Sequence, residues 1–199
     1  MNNFKNTLLT LTCLIQQLLF AQINTQNIEI VRDNYGVPHI FTKTDAELAY
    51  GLAWAHAEDD FKTTQQAYLA GNSLLSTVIG KNGLGADYIA QFIGSEKLID
   101  DNYENNVSSE YKKVLEGYAA GINSYATHHP EEVLSKKLFP ITPKKMMLYA
   151  QLQLFVSSKG DYWVKNILND KIKYNPPADE VKGSNTFAFN SSKTKDGNT

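Results

Sequence analysis

The stretch IEIVRDNYGVPHIFTKTDAELAYGLAWAHAEDDF, residues 28–61, decides the fold of this chain. Its first part holds two β-rich runs, residues 28–33 and 35–42, with turn residues between them, which is typical of a hairpin. Pro38 cannot donate to a ladder, so it belongs at a sheet edge or at the start of its strand. Thr44 and Glu47 then have the spacing of a helix capping box. The stretch therefore predicts a hairpin that leads into a helix.

Three helices are predicted in the body of the chain. The first begins at Thr44 and ends near Gly71, and the third begins at Thr142-Pro143, a cap followed by proline at the first helical position. The second begins at Ser108 or Ser109. Its apolar stripe consists of Tyr111, Val114, Leu115, Tyr118, Ile122 and Tyr125. Residues 80–87 are predicted to be a flexible surface loop, and the chain is expected to change from helix to β structure near residue 175.

The charge balance excludes one class of partner. Lys and Arg total 19 against 21 acidic residues, for a net charge of −2, and the basic residues are scattered along the chain. A nucleic-acid partner is therefore not expected. With 42% hydrophobic residues, the chain has enough apolar surface for one domain or for part of a larger one.

The first 21 residues have the pattern of a secretory signal peptide. One Lys near the start precedes an apolar run that ends in a small residue, Ala21. The alternative is a membrane anchor, but the run is short and is interrupted by Gln16 and Gln17. We therefore expect cleavage after Ala21, export to the periplasm or the extracellular space, and no stable membrane association. Cys13 leaves with this peptide, so the remaining chain has no disulfide, thiolate nucleophile or cysteine ligand.

The histidines give no strong metal or catalytic pattern. The run His56-Ala57-Glu58 matches half of a zinc deaminase signature, but the cysteine pair of that signature is missing, so we predict the polar end of a helix. His128 and His129 precede Pro130 and are predicted to be surface residues at a helix end.

The dipeptide Gly183-Ser184 is a candidate for chemistry because a polar, proline-containing linker (residues 172–184) leads to a predicted strand over residues 186–190. If the Ser184 hydroxyl attacks the Gly183 carbonyl, the peptide becomes an ester, and hydrolysis frees Ser184 as a new N-terminus. Its α-amine, which titrates at about 7.7–8.0 in model peptides, could then act as a base. A plain turn before a strand is the alternative, and on the dipeptide alone it is the more frequent outcome.

Three motifs resemble the penicillin acylase family, which includes acyl-homoserine lactone acylases. The run VRDNYGVPHI, residues 31–40, is similar to the start of the family's mature α chain. Residues 115–123, LEGYAAGIN, resemble its GYxxGxN helix, and Thr142-Pro143 resembles the start of the next family helix. The likeness extends, with gaps, from residue 28 to residue 199.

The resemblance implies an α+β fold of the N-terminal nucleophile (Ntn) hydrolase type, with αββα layers. Family precursors cut themselves before a Ser-Asn pair, so Ser184 would be the nucleophile and the first residue of a β chain. The expected product is an α/β heterodimer that hydrolyses linear amides of small N-acyl compounds, such as acyl-homoserine lactones or penicillin side chains. No cofactor is expected for catalysis.

The same resemblance divides the chain and assigns further residues. The parts are a signal peptide (1–21), a helical α chain (22–173), a linker (174–183) and the start of a β chain (184–199). Counting from Thr142-Pro143 places Tyr162 and Trp163 in the acyl pocket, with core packing as the alternative. For a structural Ca²⁺, the count gives Asn169, beside Asp170, where relatives have a glutamate.

Two further expectations concern the whole protein. The family's oxyanion donors come from far along the β chain, and only 16 residues run from Ser184 to Thr199. We therefore expect this chain to be the N-terminal part of a longer precursor and to be inactive alone. The rival hypotheses are a secreted, non-catalytic helical binding module and an inactive family member.

Overall fold

The computed structural model describes residues 23–169, 191–193 and 195, and the chain divides into two units, Met1–Asp161 and Tyr162–Thr199. In the described residues, helix is the main structure and the sheet has two strands, as predicted. The strands are β1 (Glu29–Arg32) and β2 (Pro38–Phe41). The helices are α1 (Asp45–Gly71), α2 (Ser76–Ile79), α3 (Leu84–Ile93), α4 (Ser95–Asn106), α5 (Ser109–His128), α6 (Pro143–Ser157) and α7 (Gly160–Leu168). Short 3₁₀ turns cover Thr25–Asn27, Gly80–Gly83, Pro130–Glu132 and Ser191–Lys193.

The hairpin confirms the prediction from residues 28–42. Strands β1 and β2 are antiparallel, with Ile30 opposite Ile40, and β2 begins at Pro38. The Asp33 carboxylate accepts hydrogen bonds from the backbone N–H groups of Tyr35 (2.8 Å) and Val37 (3.0 Å). Gly36 has φ of +82°, a left-handed conformation that glycine adopts without strain. The turn is thus fixed by a side-chain acceptor at its start and a glycine at its end.

Helix α1 begins with the predicted capping box. The Glu47 N–H donates to the Thr44 hydroxyl (3.2 Å), and the Glu47 carboxylate accepts from the Thr44 N–H (3.1 Å). A break that the sequence did not predict occurs at Asp60, whose φ of −160° and ψ of 78° are not helical. The Asp60 carboxylate accepts from the Thr63 N–H (2.9 Å), so it caps the second part of the helix.

Small residues allow α1 and α5 to approach closely. A Cβ atom added to Gly117 would lie 2.2 Å from the Ala46 carbonyl oxygen, and one added to Gly121 would lie 2.4 Å from that of Tyr50. Ala53 is completely buried in the same interface. Backbone contact between the two helices therefore requires glycine at both positions of α5.

Two polar side chains fix the chain segments that cover these helices. Asn123 donates from Nδ2 to the Ile141 carbonyl (2.8 Å) and accepts at Oδ1 from the Ile141 N–H (2.7 Å). Gln65, only 1% exposed, donates to the Glu132 carbonyl (3.0 Å) and accepts from the Leu134 N–H (2.8 Å). Each amide satisfies backbone groups that have no partner in a helix or strand.

The main core lies between α1, α5 and the segment that leads to α6. Of the predicted stripe on α5, Leu115, Ile122 and Tyr125 are buried, whereas Tyr111 is 55% exposed. The difference arises because Tyr111 lies in the first turn of α5, outside this core. The buried members of the core are Ala53, Ala57, Phe61, Tyr68, Leu69, Ala119, Ile122, Tyr125, Ala126, Leu138 and Ile141.

The predicted flexible loop over residues 80–87 is wrong. A 3₁₀ turn covers Gly80–Gly83, and α3 begins directly afterwards at Leu84. Asp87, which is buried, accepts hydrogen bonds from the backbone N–H groups of Leu75 (2.8 Å) and Ser76 (2.9 Å). This long-range carboxylate cap orders the segment, and the glycine-rich pattern of these residues does not reveal it. Helices α3 and α4 were not predicted either; they are separated by Gly94, which has φ of +66°.

Within the described ranges, none of the helices has both the length and the apolar character needed to cross a bilayer.

Candidate functional site

Several predicted site residues lie outside the described residues. These are Gly183, Ser184 and Asp170, together with the predicted signal peptide, the linker and the strand over residues 186–190. Their assignments stay predictions. Tyr162, Trp163 and Asn169 are described, and they lie in or directly after α7.

The corner between α6 and α7 precedes the predicted pocket residues. Helix α6 ends where the Ser158 N–H donates to the Leu154 carbonyl (3.1 Å), and Lys159 then adopts φ of +63°. Gly160 follows, and a Cβ atom there would lie 2.5 Å from the Phe155 ring. The glycine therefore lets the chain turn tightly over that ring and start α7 two residues before Tyr162.

The second unit contains the aromatic pair Tyr162 and Trp163. Their ring centroids are 5.5 Å apart with an interplanar angle of 78°, an edge-to-face contact. Tyr162 is 45% exposed and Trp163 is half-buried. The backbone carbonyl of Tyr162 accepts from Asn166 Nδ2 (2.9 Å). The pair thus presents apolar surface within its unit. A substrate contact and core packing both stay predictions for these two residues.

Of the two residues predicted to bind Ca²⁺, only Asn169 is described, and it does not make a calcium site by itself. Asn169 is exposed, and its Nδ2 donates to the Lys165 carbonyl (2.7 Å). It can offer a cation one neutral oxygen, whereas Ca²⁺ takes about six to eight oxygen ligands, usually with carboxylates among them. The assignment of a Ca²⁺ site to Asn169 and Asp170 therefore stays a prediction.

The motif at residues 31–40 forms an ionic clamp between the hairpin and α1. Arg32 contacts Asp59 at 2.8 Å and Glu58 at 3.2 Å, and it also donates to the Gly36 carbonyl (2.8 Å). Trp54 Nε1 donates to the other oxygen of Glu58 (2.9 Å). The hydrogen bond to Glu58, followed by that to Asp59, raises the pKa of Arg32, so the guanidinium stays charged. This motif therefore holds the hairpin against α1.

The turn carboxylate Asp33 also has a structural role. The backbone N–H groups of Tyr35 and Val37, and then the side chain of His39, hold its pKa below the usual value. His39 Nε2 lies 3.4 Å from Asp33. A carboxylate that accepts this many hydrogen bonds is stabilised in its charged form.

His56 lies on the exposed face of α1, shortly before the break at Asp60, and its Nδ1 is 2.9 Å from the Tyr118 hydroxyl. The predicted polar helix end thus corresponds to the break, although α1 resumes after Asp60 and continues to Gly71. His128 is exposed at the last position of α5, as predicted, and its Nδ1 bonds the Ser124 carbonyl (2.8 Å).

Each of the three sequence motifs has a structural role. Arg32 holds the hairpin against α1, Gly117 and Gly121 let α5 approach α1, and Asn123 bonds the backbone of Ile141 just before Thr142-Pro143. The sequence profile of the penicillin amidase family matches residues 27–199, which include all three. The chain belongs to the penicillin amidase family.

Curated members of the penicillin amidase family show the same likeness. Penicillin G acylase of Escherichia coli is 28% identical over 154 residues, which are 71% of this chain and 17% of that protein. Acyl-homoserine lactone acylase PvdQ of Pseudomonas syringae is 27% identical over 103 residues, 48% of this chain and 13% of that protein. The matched stretch therefore covers less than a fifth of the length of either relative.

A solved member of the penicillin amidase family shares the fold. The thermostable penicillin G acylase from Alcaligenes faecalis matches with a TM-score of 0.55 and 18% identity. The match covers 81% of this chain and 98% of the solved chain. The solved chain is therefore a short polypeptide, similar in length to this one.

One cluster of side chains was not predicted. His129, Glu131 and Glu132 bring a nitrogen and two carboxylate oxygens to within 4.8 Å of one another. The signal in the sequence is the run HHPEE, residues 128–132, which by itself predicts only a helix end. The spacing is informative once the 3₁₀ turn at Pro130–Glu132 is known.

Proposed function

We propose that this chain belongs to an Ntn amide hydrolase that cleaves linear amides of N-acyl compounds. Ser184 is its nucleophile, freed by cleavage of the Gly183–Ser184 bond. The observation that carries the proposal is that the family match runs to residue 199, through Gly183-Ser184-Asn185. Acyl-homoserine lactones and penicillin side-chain amides are the substrate classes, because relatives named for both resemble this chain.

The comparisons also support the proposed division into two chains. The solved acylase chain is covered at 98%, so in that protein a polypeptide of this size is a separate chain. By analogy, residues 22–173 form the α chain here, residues 174–183 form the linker, and residues 184–199 begin the β chain. The mature protein is then an α/β heterodimer, and residues 1–21 direct its export to the periplasm or the extracellular space.

The chemistry of processing needs two residues and one water molecule. The Ser184 hydroxyl attacks the Gly183 carbonyl carbon and gives up its proton. The C–N bond then breaks, and the leaving nitrogen takes up that proton to become the Ser184 amine. The resulting ester joins Gly183 to the Ser184 oxygen. Water then cleaves this ester, leaving a Gly183 carboxylate on one chain and a free Ser184 hydroxyl on the other.

The freed amine then serves as the base for the same hydroxyl. It titrates near neutral pH, at about 7.7–8.0 in model peptides, so it can accept the hydroxyl proton directly or through water. Attack on the substrate carbonyl releases the amine product and leaves an acyl ester on Ser184. Water hydrolyses the ester to give the free acid.

Intact-mass analysis of the full-length gene product tests this proposal. We expect two chains whose masses place the break between Gly183 and Ser184, and we expect one uncut chain for Ser184→Ala. Ser191→Ala is the matched control, because Ser191 lies seven residues further on, and this variant should be cut like the wild type.

Two results would contradict the proposal. An uncut wild-type protein that hydrolyses no N-acyl amide would favour an inactive relative or a binding module. A break that persists in Ser184→Ala would show that another group cuts the chain.

A further inference from the structure

The corner that follows α5 gathers three groups that bind metal ions. His129 Nδ1 lies 3.5 Å from Glu132 Oε1 and 3.7 Å from Glu131 Oε1. All three ligand atoms lie within 4.8 Å of one another. Ligand atoms bound at about 2.0–2.1 Å in a tetrahedron are separated by about 3.4 Å. The two distances from His129 are therefore already close to those of a common coordination sphere.

The backbone of this corner is held on both sides. The His129 N–H donates to the Tyr125 carbonyl (2.9 Å), and the Glu132 N–H donates to the His129 carbonyl (3.1 Å). The buried Gln65 amide bonds the Glu132 carbonyl and the Leu134 N–H, as described above. The three side chains therefore project from a turn whose backbone groups are tied to α1 and α5, which limits the cost of arranging them around an ion.

A tyrosine supports two of the three groups. The Tyr125 ring stacks on the His129 ring, with centroids 4.2 Å apart and an interplanar angle of 20°. Its hydroxyl donates to Glu132 Oε1 at 3.5 Å, a long hydrogen bond. Outer partners of this kind orient metal ligands.

We propose that His129, Glu131 and Glu132 bind one Zn²⁺ ion. An imidazole nitrogen with two carboxylates is a donor set that Zn²⁺ accepts, whereas Ca²⁺ is bound by oxygen ligands. Side-chain exposures of 36% for His129, 70% for Glu131 and 43% for Glu132 leave the ion a route from solvent. Three protein ligands leave a fourth position for water. The bound ion ties the end of α5 to the turn.

Calorimetric titration of the metal-free chain with ZnCl₂ tests the proposal. We expect one Zn²⁺ per chain at neutral pH, and any heat with CaCl₂ should be the same for the wild type and for His129→Ala. His129→Ala and Glu132→Gln should each weaken binding by roughly 10- to 100-fold or more. His128→Ala is the matched control because it removes the adjacent exposed imidazole, and it should leave the affinity unchanged.

Two further variants distinguish a formed site from general surface binding. Glu131→Gln changes an exposed side chain, so it keeps the fold while it removes one ligand, and we expect a loss of affinity of at least about tenfold. Tyr125→Phe keeps the stacked ring and removes the hydroxyl, and we expect roughly a tenfold loss of affinity.

A second readout is thermal. At the same Zn²⁺ concentration, the rise in Tm should be larger for the wild type than for Glu132→Gln, because an ion that binds only the folded chain stabilises it in proportion to its affinity. The proposal is overturned if the wild type binds no Zn²⁺, if binding does not saturate at one ion, or if His128→Ala weakens binding as much as His129→Ala does.

Discussion

The contact between α1 and α5 and the aromatic pair Tyr162–Trp163 are built on opposite principles. In the first region, glycines bring two backbones together, and an added methyl group at Gly121 would lie 2.4 Å from the Tyr50 carbonyl oxygen. In the second, two large rings meet edge to face, and Tyr162 remains 45% exposed. The first region has no space for a larger side chain, whereas the second has exposed apolar surface that a ligand could contact.

The difference separates the described family motifs from the residues to which the proposed reaction is assigned. The described motif residues, such as Arg32, Gly121 and Asn123, bond or contact the protein's own backbone or its own side chains. Family membership is therefore evident from the framework. The proposed reaction instead depends on Ser184 and on the apolar pair, and substitutions should separate the two sets by stability and by activity.

Substitution of the helix-contact glycines should have the largest effect on stability. Gly121→Ala forces α1 and α5 apart and should lower the free energy of unfolding of the chain by about 3 kcal/mol, measured by urea denaturation. Gly85→Ala is the matched control, because nothing lies within 4 Å of its added methyl group in α3. It should stabilise the chain by roughly 0.5–1 kcal/mol. Equal losses in both variants would contradict the close contact.

Removal of the Asn123 amide should have the next largest effect. Asn123→Ala leaves both backbone groups of Ile141 without their partner, which should cost about 2 kcal/mol of unfolding free energy. Asn102→Ala serves as the control, because the Asn102 amide bonds an exposed carbonyl of its own helix (2.8 Å). It should change stability by less than about 0.5 kcal/mol. If Asn123→Ala changes the free energy of unfolding as little as Asn102→Ala does, the hydrogen bonds from Asn123 to Ile141 do not hold the segment before α6.

Truncation of the aromatic pair should affect activity more than stability. In the processed full-length protein, Tyr162→Ala should lower kcat/KM for N-acyl substrates roughly tenfold, mainly through KM, because apolar contact to the acyl chain is lost. Cleavage at Gly183–Ser184 should proceed as in the wild type. Tyr111→Ala, at another exposed tyrosine, should leave kcat/KM unchanged. An unchanged kcat/KM for Tyr162→Ala and Trp163→Ala would assign the pair to packing.

The capping carboxylate Glu47 should give a small, pH-dependent effect. Hydrogen bonds from Asn27 first, and then from Lys43 and Thr44, lower its pKa from the usual 4.5. Because the folded-state pKa lies below the unfolded one, the stabilisation is present above pH 4.5 and is lost as the pH falls through the folded value.

Thermal unfolding at neutral pH and at about pH 3 measures this effect. The Tm difference between wild type and Glu47→Gln should shrink at the lower pH, and Glu96→Gln, at an exposed side chain, serves as the control for the loss of one surface carboxylate. If the Tm difference between wild type and Glu47→Gln is the same at both pH values, the charge of the Glu47 carboxylate does not stabilise the start of α1.

The sequence predicted local features well and long-range ones poorly. The capping box at Thr44, the proline start of α6 and the hairpin depend on neighbouring residues, so their patterns were sufficient. The order of residues 80–87 depends on Asp87 bonding backbone groups about 12 positions earlier, and the His129 cluster depends on a turn held by Gln65. Such contacts leave no periodicity in the sequence. The helix break at Asp60 was not predicted. Asp60 both interrupts the helix and caps its second part, so no glycine or proline marks the break in the sequence.

The role of Ser184 as nucleophile is tested most directly by trapping it. The full-length gene product is treated with phenylmethylsulfonyl fluoride. An activated serine oxygen attacks the sulfur of this reagent and displaces fluoride, which leaves a sulfonyl ester on the serine. Peptide mass spectrometry then locates the modified residue. We expect one adduct, on a peptide whose first residue is Ser184, and none in Ser184→Ala. An adduct on a different residue, or a cleaved protein whose Ser184 stays unmodified while activity is lost, would contradict this role.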